Sequence, residues 1–523
     1  MTDQGDLPGP EASSPEVVSS HLSRIARGSL LVFFGNVAAR ALRFLYTLAL
    51  TRTLGRERYG LFSLAFTVHR IPVQLARNGL PHAIVKFVSH HHALGDEAGQ
   101  RASAHAGVAI SAVAGGVLGA TLFALAPWLA EHVYQQPGLV LPLRILAVSV
   151  MVWPTAECLL AVLQGVRDIT PMVVIDALCI PALLAGGSWL VVRAWRTPAA
   201  AAAVYSGAMA MLLIAAAVAV ALRVLRGTSG GRVRDIMRPL LLFALPLMVM
   251  ELSQFGLSGL DVVLLGHLLS PAEVGTYAGA MPISNLVPFG LVAVRVVFSP
   301  TIAMLHARGR REAMRRIVVL STAVGTMVGM AIFGLIVCFD EPLMHLLGRD
   351  FAAGAPVLLI LSVGWLVNTA AGAVGLLLVM TDRPWIVAID NVIFAVVMAA
   401  GLLVLVPAGG LLAAAAVAAA TNAGVNIVRT GRARRILGFW PYDASTVSMH
   451  GWFAAALLVA VGLRMVVPGM TGRAVALVGF GLVLLGSGLP LTRRTLAFLR
   501  RREAGADAPA AAEDDTPADS DSD

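Results

Sequence analysis

The chain is poor in charge: 13% of its 523 residues are Asp, Glu, Lys or Arg, against a hydrophobic share of 58%. A soluble domain of this length cannot hide that much apolar surface, which excludes a globular protein free of the membrane. Lysine is nearly missing, with Lys86 the only one, so the basic residues are almost all arginines. Cysteine is scarce as well. Cys158, Cys179 and Cys338 fall in hydrophobic stretches and read as buried packers, not as disulfides or metal ligands. There is no Walker lysine motif, which excludes an ATP-hydrolysing motor within the chain. Gly479-Phe480-Gly481 lacks the third glycine of a dinucleotide fingerprint and lies in an apolar run. His90-His91-His92, near His82 and His105, has no cysteine or carboxylate pair at ligand spacing and reads as a solvated loop, so no metal is expected.

What is present is a succession of apolar runs, each long enough as a helix to cross a hydrocarbon core about 30 Å thick, and the mean hydropathy is +0.80. They predict an all-α polytopic membrane protein with about fourteen spans: 29–50, 60–80, 104–126, 142–163, 170–192, 199–221, 240–264, 276–300, 317–338, 356–379, 385–406, 410–428, 451–468 and 473–491. Pro81, Pro171, Pro239 and Pro384 lie near span ends, whereas Pro72, Pro154, Pro181, Pro246 and Pro288 fall inside and should bend their helices. The basic clusters Arg223 to Arg238, Arg308 to Arg316, Arg429 to Arg435 and Arg493 to Arg502 all fall on one side of this scheme. By the positive-inside rule that side is cytoplasmic, and both termini lie there. Arg52, Arg56 and Arg58 are local exceptions, partly offset by Glu57. The first run is too long for a cleavable signal peptide and is broken by Arg40 and Arg43. The net charge of +9 is spread over loops beside the membrane, where it fits orientation and anionic membrane lipids and not a nucleic-acid partner. Glu503 to Asp523 is an acidic, low-complexity tail, expected to be disordered.

Residues 54–65 have a faint echo at 269–280: Gly60 falls on Gly275 at an offset of 275 − 60 = 215, and Phe62 on Tyr277. Pro171 and Asp176 match Pro384 and Asp390 at nearly the same offset. Two matches joining equivalent loops of a six-helix unit argue for duplication, with the two halves parallel because six is even. The predicted organisation is 1–28 as an N-terminal segment, 29–230 and 231–440 as two six-helix bundles, 441–495 as helices thirteen and fourteen, and 496–523 as the tail.

Leu54 to Ala65, Asn78-Gly79-Leu80-Pro81-His82-Ala83-Ile84-Val85-Lys86-Phe87-Val88-Ser89 and Leu163-Gln164-Gly165-Val166-Arg167 together resemble Wzx-type flippases. These form the polysaccharide-exporting branch of the multidrug/oligosaccharidyl-lipid/polysaccharide superfamily. The resemblance covers about residues 25–440. It implies two six-helix bundles in a V, open alternately to each side of the cytoplasmic membrane, moving a polyprenyl-linked sugar. The implied partners are that lipid-linked glycan, membrane lipids and other polysaccharide-assembly proteins.

Charges inside the spans then acquire a reading. Asn36, Arg40 and Arg43 share one helical face, as do Arg70, Gln74 and Arg77. With Arg295 of the eighth span, these stripes can line a hydrated gap and present guanidinium forks to a phosphate or pyrophosphate. The competing readings are pairing with buried acids and, for Arg77 near a helix end, snorkelling. The acids are Glu157, Asp176, Glu251, Asp261 and Asp390. Glu251, Asp261 and Glu157 are candidates for proton or sodium coupling, with no cofactor expected, against simple ion pairing. Asp176 and Asp390 are expected to cap or to pair with Arg167 and Arg383. The nearest rival function is a multidrug/cation antiporter of the same superfamily. A polysaccharide polymerase or ligase is disfavoured by the short external links, so no enzyme is expected.

Overall fold

The computed structural model describes residues 15–168, 170, 172–223, 233–467 and 469–485; side chains at 15–34, 36, 172–173, 177, 293–297 and 300 are outside the described set. Pro171, the Arg493 to Arg502 cluster and the acidic tail lie outside the described residues, as do the side chains of Asn36 and Arg295. Among the described residues there is helix and no strand, the all-α architecture that the hydropathy pattern predicts.

The first helix, α1 (Pro15–Arg77), carries two of the expected spans and turns between them at Gly55, whose φ of 72° and ψ of 174° only glycine adopts readily. After it come α2 (Leu80–Ala93), α3 (Glu97–Trp128) and α4 (Val140–Gly165). The fifth span is irregular: π-helical turns at Met172–Cys179 and Ser188–Val192 flank α5 (Ile180–Gly187), and α6 (Arg193–Trp195) follows. Pro181 sits at the start of α5, where its missing N–H costs least, and the wider turn ahead of it absorbs the bend. Then come α7 (Pro198–Arg223) and α8 (Val233–Leu268). The expected eighth span is two helices, α9 (Pro271–Ser284) and α10 (Phe289–Ala307), parted at Pro288. Beyond α11 (Arg311–Leu347), the tenth span is likewise parted at Gly372, φ 77°, into α12 (Ala355–Ala371) and α13 (Val374–Met380). A second hairpin, α14 (Pro384–Leu437), folds back at Gly410, φ 55°. Pro239 differs from its expected place at a helix end; it lies inside α8.

Nine described helical segments are by length and composition able to cross a membrane. Counting both arms of α1 and of α14, joining α9 to α10, and adding Gly469–Leu485 accommodates the fourteen spans read from the sequence. Large apolar side chains such as Val113, Leu190 and Val404 point outward, the arrangement a lipid solvent requires.

In the first half, α4 packs against α3 and α7, and α1 lies on α4 and α5. Phe66, His69, Trp153 and Tyr205 form an aromatic knot there; Phe66 meets Tyr205 edge-on at 4.9 Å. His69, fully buried, places Nδ1 2.5 Å from the Phe66 carbonyl oxygen. In the second half, α8 packs on α14, α11 on α10 and α12, and α12 on α14. Helix α1 joins the halves by lying against α8 and α9.

From Tyr442 onward the described residues form a unit of their own. Its helix α15 (Ala444–Val466) is started by a capping box in which the Asp443 carboxylate accepts from the Thr446 N–H at 2.8 Å. Phe453 meets Phe480 of the following apolar helix edge-on at 5.9 Å.

Candidate functional site

The second arm of α1 carries Arg70, Gln74 and Arg77 at spacings of four and three, which places them along one stripe. The structure brings this stripe against α4 and α8. Arg77 Nε lies 2.5 Å from Glu157 Oε2 of α4, an ion pair with both side chains about three-quarters buried. Gln74 accepts from Arg77 at 3.5 Å and donates its own amide N–H to Glu251 Oε2 of α8 at 3.0 Å. The other oxygen of Glu251 is 3.4 Å from His82 Nε2, on α2. Glu157, Arg77, Gln74, Glu251 and His82 therefore form one polar chain that ties the first half of the molecule to the second.

Arg70, one turn before Gln74, has a different environment. Its guanidinium sits over the ring of Phe255 of α8, 5.2 Å from the centroid. Arg40, on the first arm of α1, sits over Phe289 at the start of α10, 5.7 Å from the centroid. Neither guanidinium has a hydrogen-bond or ion-pair partner among the described residues. Both lie in arms that are otherwise apolar enough to span a membrane, where an unneutralised charge costs on the order of 3 kcal/mol or more. Arg43 is exposed, and the charges acting on it include Arg40 and Asp176.

Asp261 is buried on α8; it accepts from the Tyr277 hydroxyl and from the Val262 N–H, each at 2.8 Å. Arg70 is the cation that acts on it at longer range. The expected partners of two other acids need correcting. Asp390 pairs with Arg432, at 2.6 Å, and with Arg429 Nε, at 3.8 Å, and not with Arg383. The reason is the fold-back at Gly410, which lays 426–432 beside 387–391. Asp176 feels Arg43 and Arg77, not Arg167.

Three features escaped sequence reasoning. Arg429, grouped there with a loop cluster, is buried; it donates to the Val387 carbonyl at 3.2 Å and to the Asn391 side-chain oxygen. The available signal was the spacing of Asn422, Asn426 and Arg429, the same four-and-three stripe that singled out Arg70. Phe255, one turn after Glu251, and Phe289, next to Pro288, had only their positions beside flagged residues to recommend them. Among the described residues, no group of three or more His, Cys, Asp or Glu side chains is arranged to hold a metal ion; His91 Nδ1 is taken up by Asp96 Oδ2 at 2.8 Å.

Residues 25–306 match the family described as polysaccharide biosynthesis protein, and residues 246–423 match the MatE family. A 109-residue stretch is 28% identical to lipid II flippase MurJ of Bacillus subtilis (strain 168), spanning 21% of this chain and 20% of that protein. The chain thus matches about a fifth of the length of that relative. Among solved structures, lipid II flippase MurJ in an inward closed conformation superimposes with a TM-score of 0.68 at 9% identity, over 90% of this chain and 99% of the other. An inward-facing multidrug resistance MATE family transporter of the MOP superfamily gives 0.65 at 16% identity, over 76% and 94%. At those identities the likeness is one of fold.

Proposed function

The chain belongs to the polysaccharide biosynthesis protein family, within the multidrug/oligosaccharidyl-lipid/polysaccharide superfamily of multi-pass membrane transporters, and from that premise we propose that it flips a lipid-linked glycan. The cargo is a sugar or oligosaccharide on a polyprenyl phosphate or pyrophosphate, moved from the inner to the outer leaflet of the cytoplasmic membrane by alternating access. The observation that carries this reading is the pair Arg40 and Arg70: two guanidiniums inside membrane-spanning arms, at the junction of the two halves, each over a phenyl ring and with no carboxylate in contact among the described residues. A phosphate entering there would be neutralised by fork-like donors that the protein has not already used. Arg43 and Arg295 are assigned to the same anion. Arg77 and Gln74 serve the junction, because Glu157 and Glu251 already occupy them. The isoprenoid chain stays in lipid.

For coupling to a proton or sodium gradient, Asp261 is the best placed of the three candidate acids. Glu157 is held by Arg77 and Glu251 by Gln74 and His82, whereas among the described residues Asp261 is in contact only with neutral donors.

The match of 246–423 to MatE favours a second reading, a multidrug/cation antiporter. One reconstitution separates the two. Liposomes containing the protein are loaded with a fluorescent short-chain polyprenyl-phosphate sugar or with a cationic dye, and wild type is compared with Arg40→Ala and Arg70→Ala. Flipping of the lipid that falls in both variants supports the flippase. Equal flipping by all three, or dye exchange alone, ends it.

A further inference from the structure

Arg40 and Arg70, which contact no acid among the described residues, are instead each covered by a phenyl ring, and in both cases the ring comes from the other half of the molecule. Arg70 of α1 meets Phe255 of α8, and Arg40 of α1 meets Phe289 of α10. A guanidinium is a flat plate whose five N–H donors point outward in its plane, so a ring lying on its face satisfies part of the charge and leaves the donor edges open. An anion can then approach along an edge without displacing the ring.

The rings themselves are seated by glycine. A Cβ on Gly259 would fall 2.8 Å from Cε2 and 3.0 Å from Cζ of Phe255, so the ring lies in the space that this glycine leaves on α8. Phe289 is followed by Gly290, where a Cβ would come within 2.5 Å of Val328 Cβ and 2.9 Å of the Gly325 carbonyl oxygen of α11. The start of α10, and with it Phe289, is therefore held close against α11.

We propose that Phe255 and Phe289 are positioning residues for the substrate's phosphate: each ring fixes the face of an arginine borne by the opposite half, so the anion site is complete only while the two halves are together. On this view the halves contribute unlike parts, one the charge and the other the plate that orients it. Substrate affinity is thereby tied to closure of the halves. The inference rests on the arginine reading given above, and it goes further by assigning a task to two apolar side chains.

The test is binding of a fluorescent short-chain polyprenyl diphosphate to the full-length protein in nanodiscs. Phe255→Leu and Phe289→Leu should each weaken binding by about 2- to 30-fold, the worth of one guanidinium–ring contact. Phe255→Trp, which keeps and strengthens the ring face, should bind at least as well as wild type. In an Arg70→Ala background, Phe255→Leu should have no further effect. Wild-type binding by both leucine variants overturns the proposal, as does an equal loss from Phe255→Leu with and without Arg70, because either result means the ring does not act through the guanidinium. If Phe255→Leu fails to fold, Phe289→Leu and Gly259→Ala, which pushes the Phe255 ring aside, decide the matter by the same criterion. Wild-type binding by Arg40→Ala and Arg70→Ala overturns the parent reading, a result distinguishable from failure of the ring assignment alone.

Discussion

Gly60 and Gly275, aligned by the faint sequence echo between 54–65 and 269–280, meet face to face where α1 crosses α9. A Cβ on Gly60 would fall 1.8 Å from the Pro271 carbonyl oxygen, and one on Gly275 would fall 2.0 Å from the Arg56 carbonyl oxygen. Backbone meets backbone there, with no side chain able to give way. Such closeness is available only to glycine, and it closes this end of the junction between the halves.

Gly60→Ala should therefore part the two helices or destabilise the closed state, at a cost of about 1–3 kcal/mol typical of overpacking. Electron–electron distances between spin labels at Glu57 and Ala272 should lengthen in the variant. An unchanged distance distribution together with an unchanged melting temperature would refute the closure.

The Arg77–Glu157 pair should behave as a structural bridge. Removing one partner, as in Glu157→Gln, leaves a guanidinium in a largely apolar setting. The expected loss is about 1–3 kcal/mol, less than for a fully buried pair because both side chains are about a quarter exposed. The swap Arg77→Glu with Glu157→Arg should recover most of the thermal stability measured in micelles. No recovery in the double variant would argue that Arg77 is needed for something other than this pair.

Asp261→Asn keeps one oxygen acceptor, for the Val262 N–H, and turns the other oxygen into an NH2 that can donate to the Tyr277 hydroxyl, but it cannot exchange a proton or bind a cation through charge. Downhill flipping should survive while the response to an imposed pH or sodium gradient disappears. Should the variant respond to the gradient as wild type does, Asp261 is not the coupling group.

At the start of α3, the Asp96 carboxylate accepts from the Gly99 N–H at 2.9 Å and contacts His91. The Gly99 hydrogen bond first, and then His91, hold this carboxyl below its ordinary range. The folded state thus favours the ionised form, so the cap's contribution is present above the unfolded carboxylate's pKa and lost as pH falls through the lower folded value. Asp96→Asn, which caps without titrating, should flatten the acid side of a melting-temperature profile. A profile identical to wild type would show that ionisation of Asp96 does not contribute to the pH dependence.

Much of the architecture was legible because its signals are local. A run of apolar residues needs no tertiary contact to declare a membrane helix, whereas the close approach of Gly60 and Gly275 where α1 crosses α9 is a tertiary contact. The site was legible by halves. The stripe Arg70–Gln74–Arg77 is a matter of helical spacing, but the partners of its members are not. Arg77 found Glu157, some 80 positions on, Gln74 found Glu251, and Arg70 found the ring of Phe255. Asp390 shows the same limit: its neighbour in sequence, Arg383, lost to Arg429 and Arg432, because a turn at one glycine reversed the chain.

The sequence by itself determined that this protein lives in a bilayer as helices and that it carries arginines where lipid would not tolerate them. Those properties follow from hydropathy, length and spacing, which act along the chain. Only the tertiary structure decided which arginines are neutralised and which are merely stacked, because that choice depends on how helices far apart in sequence cross, and a crossing angle is written in no single segment.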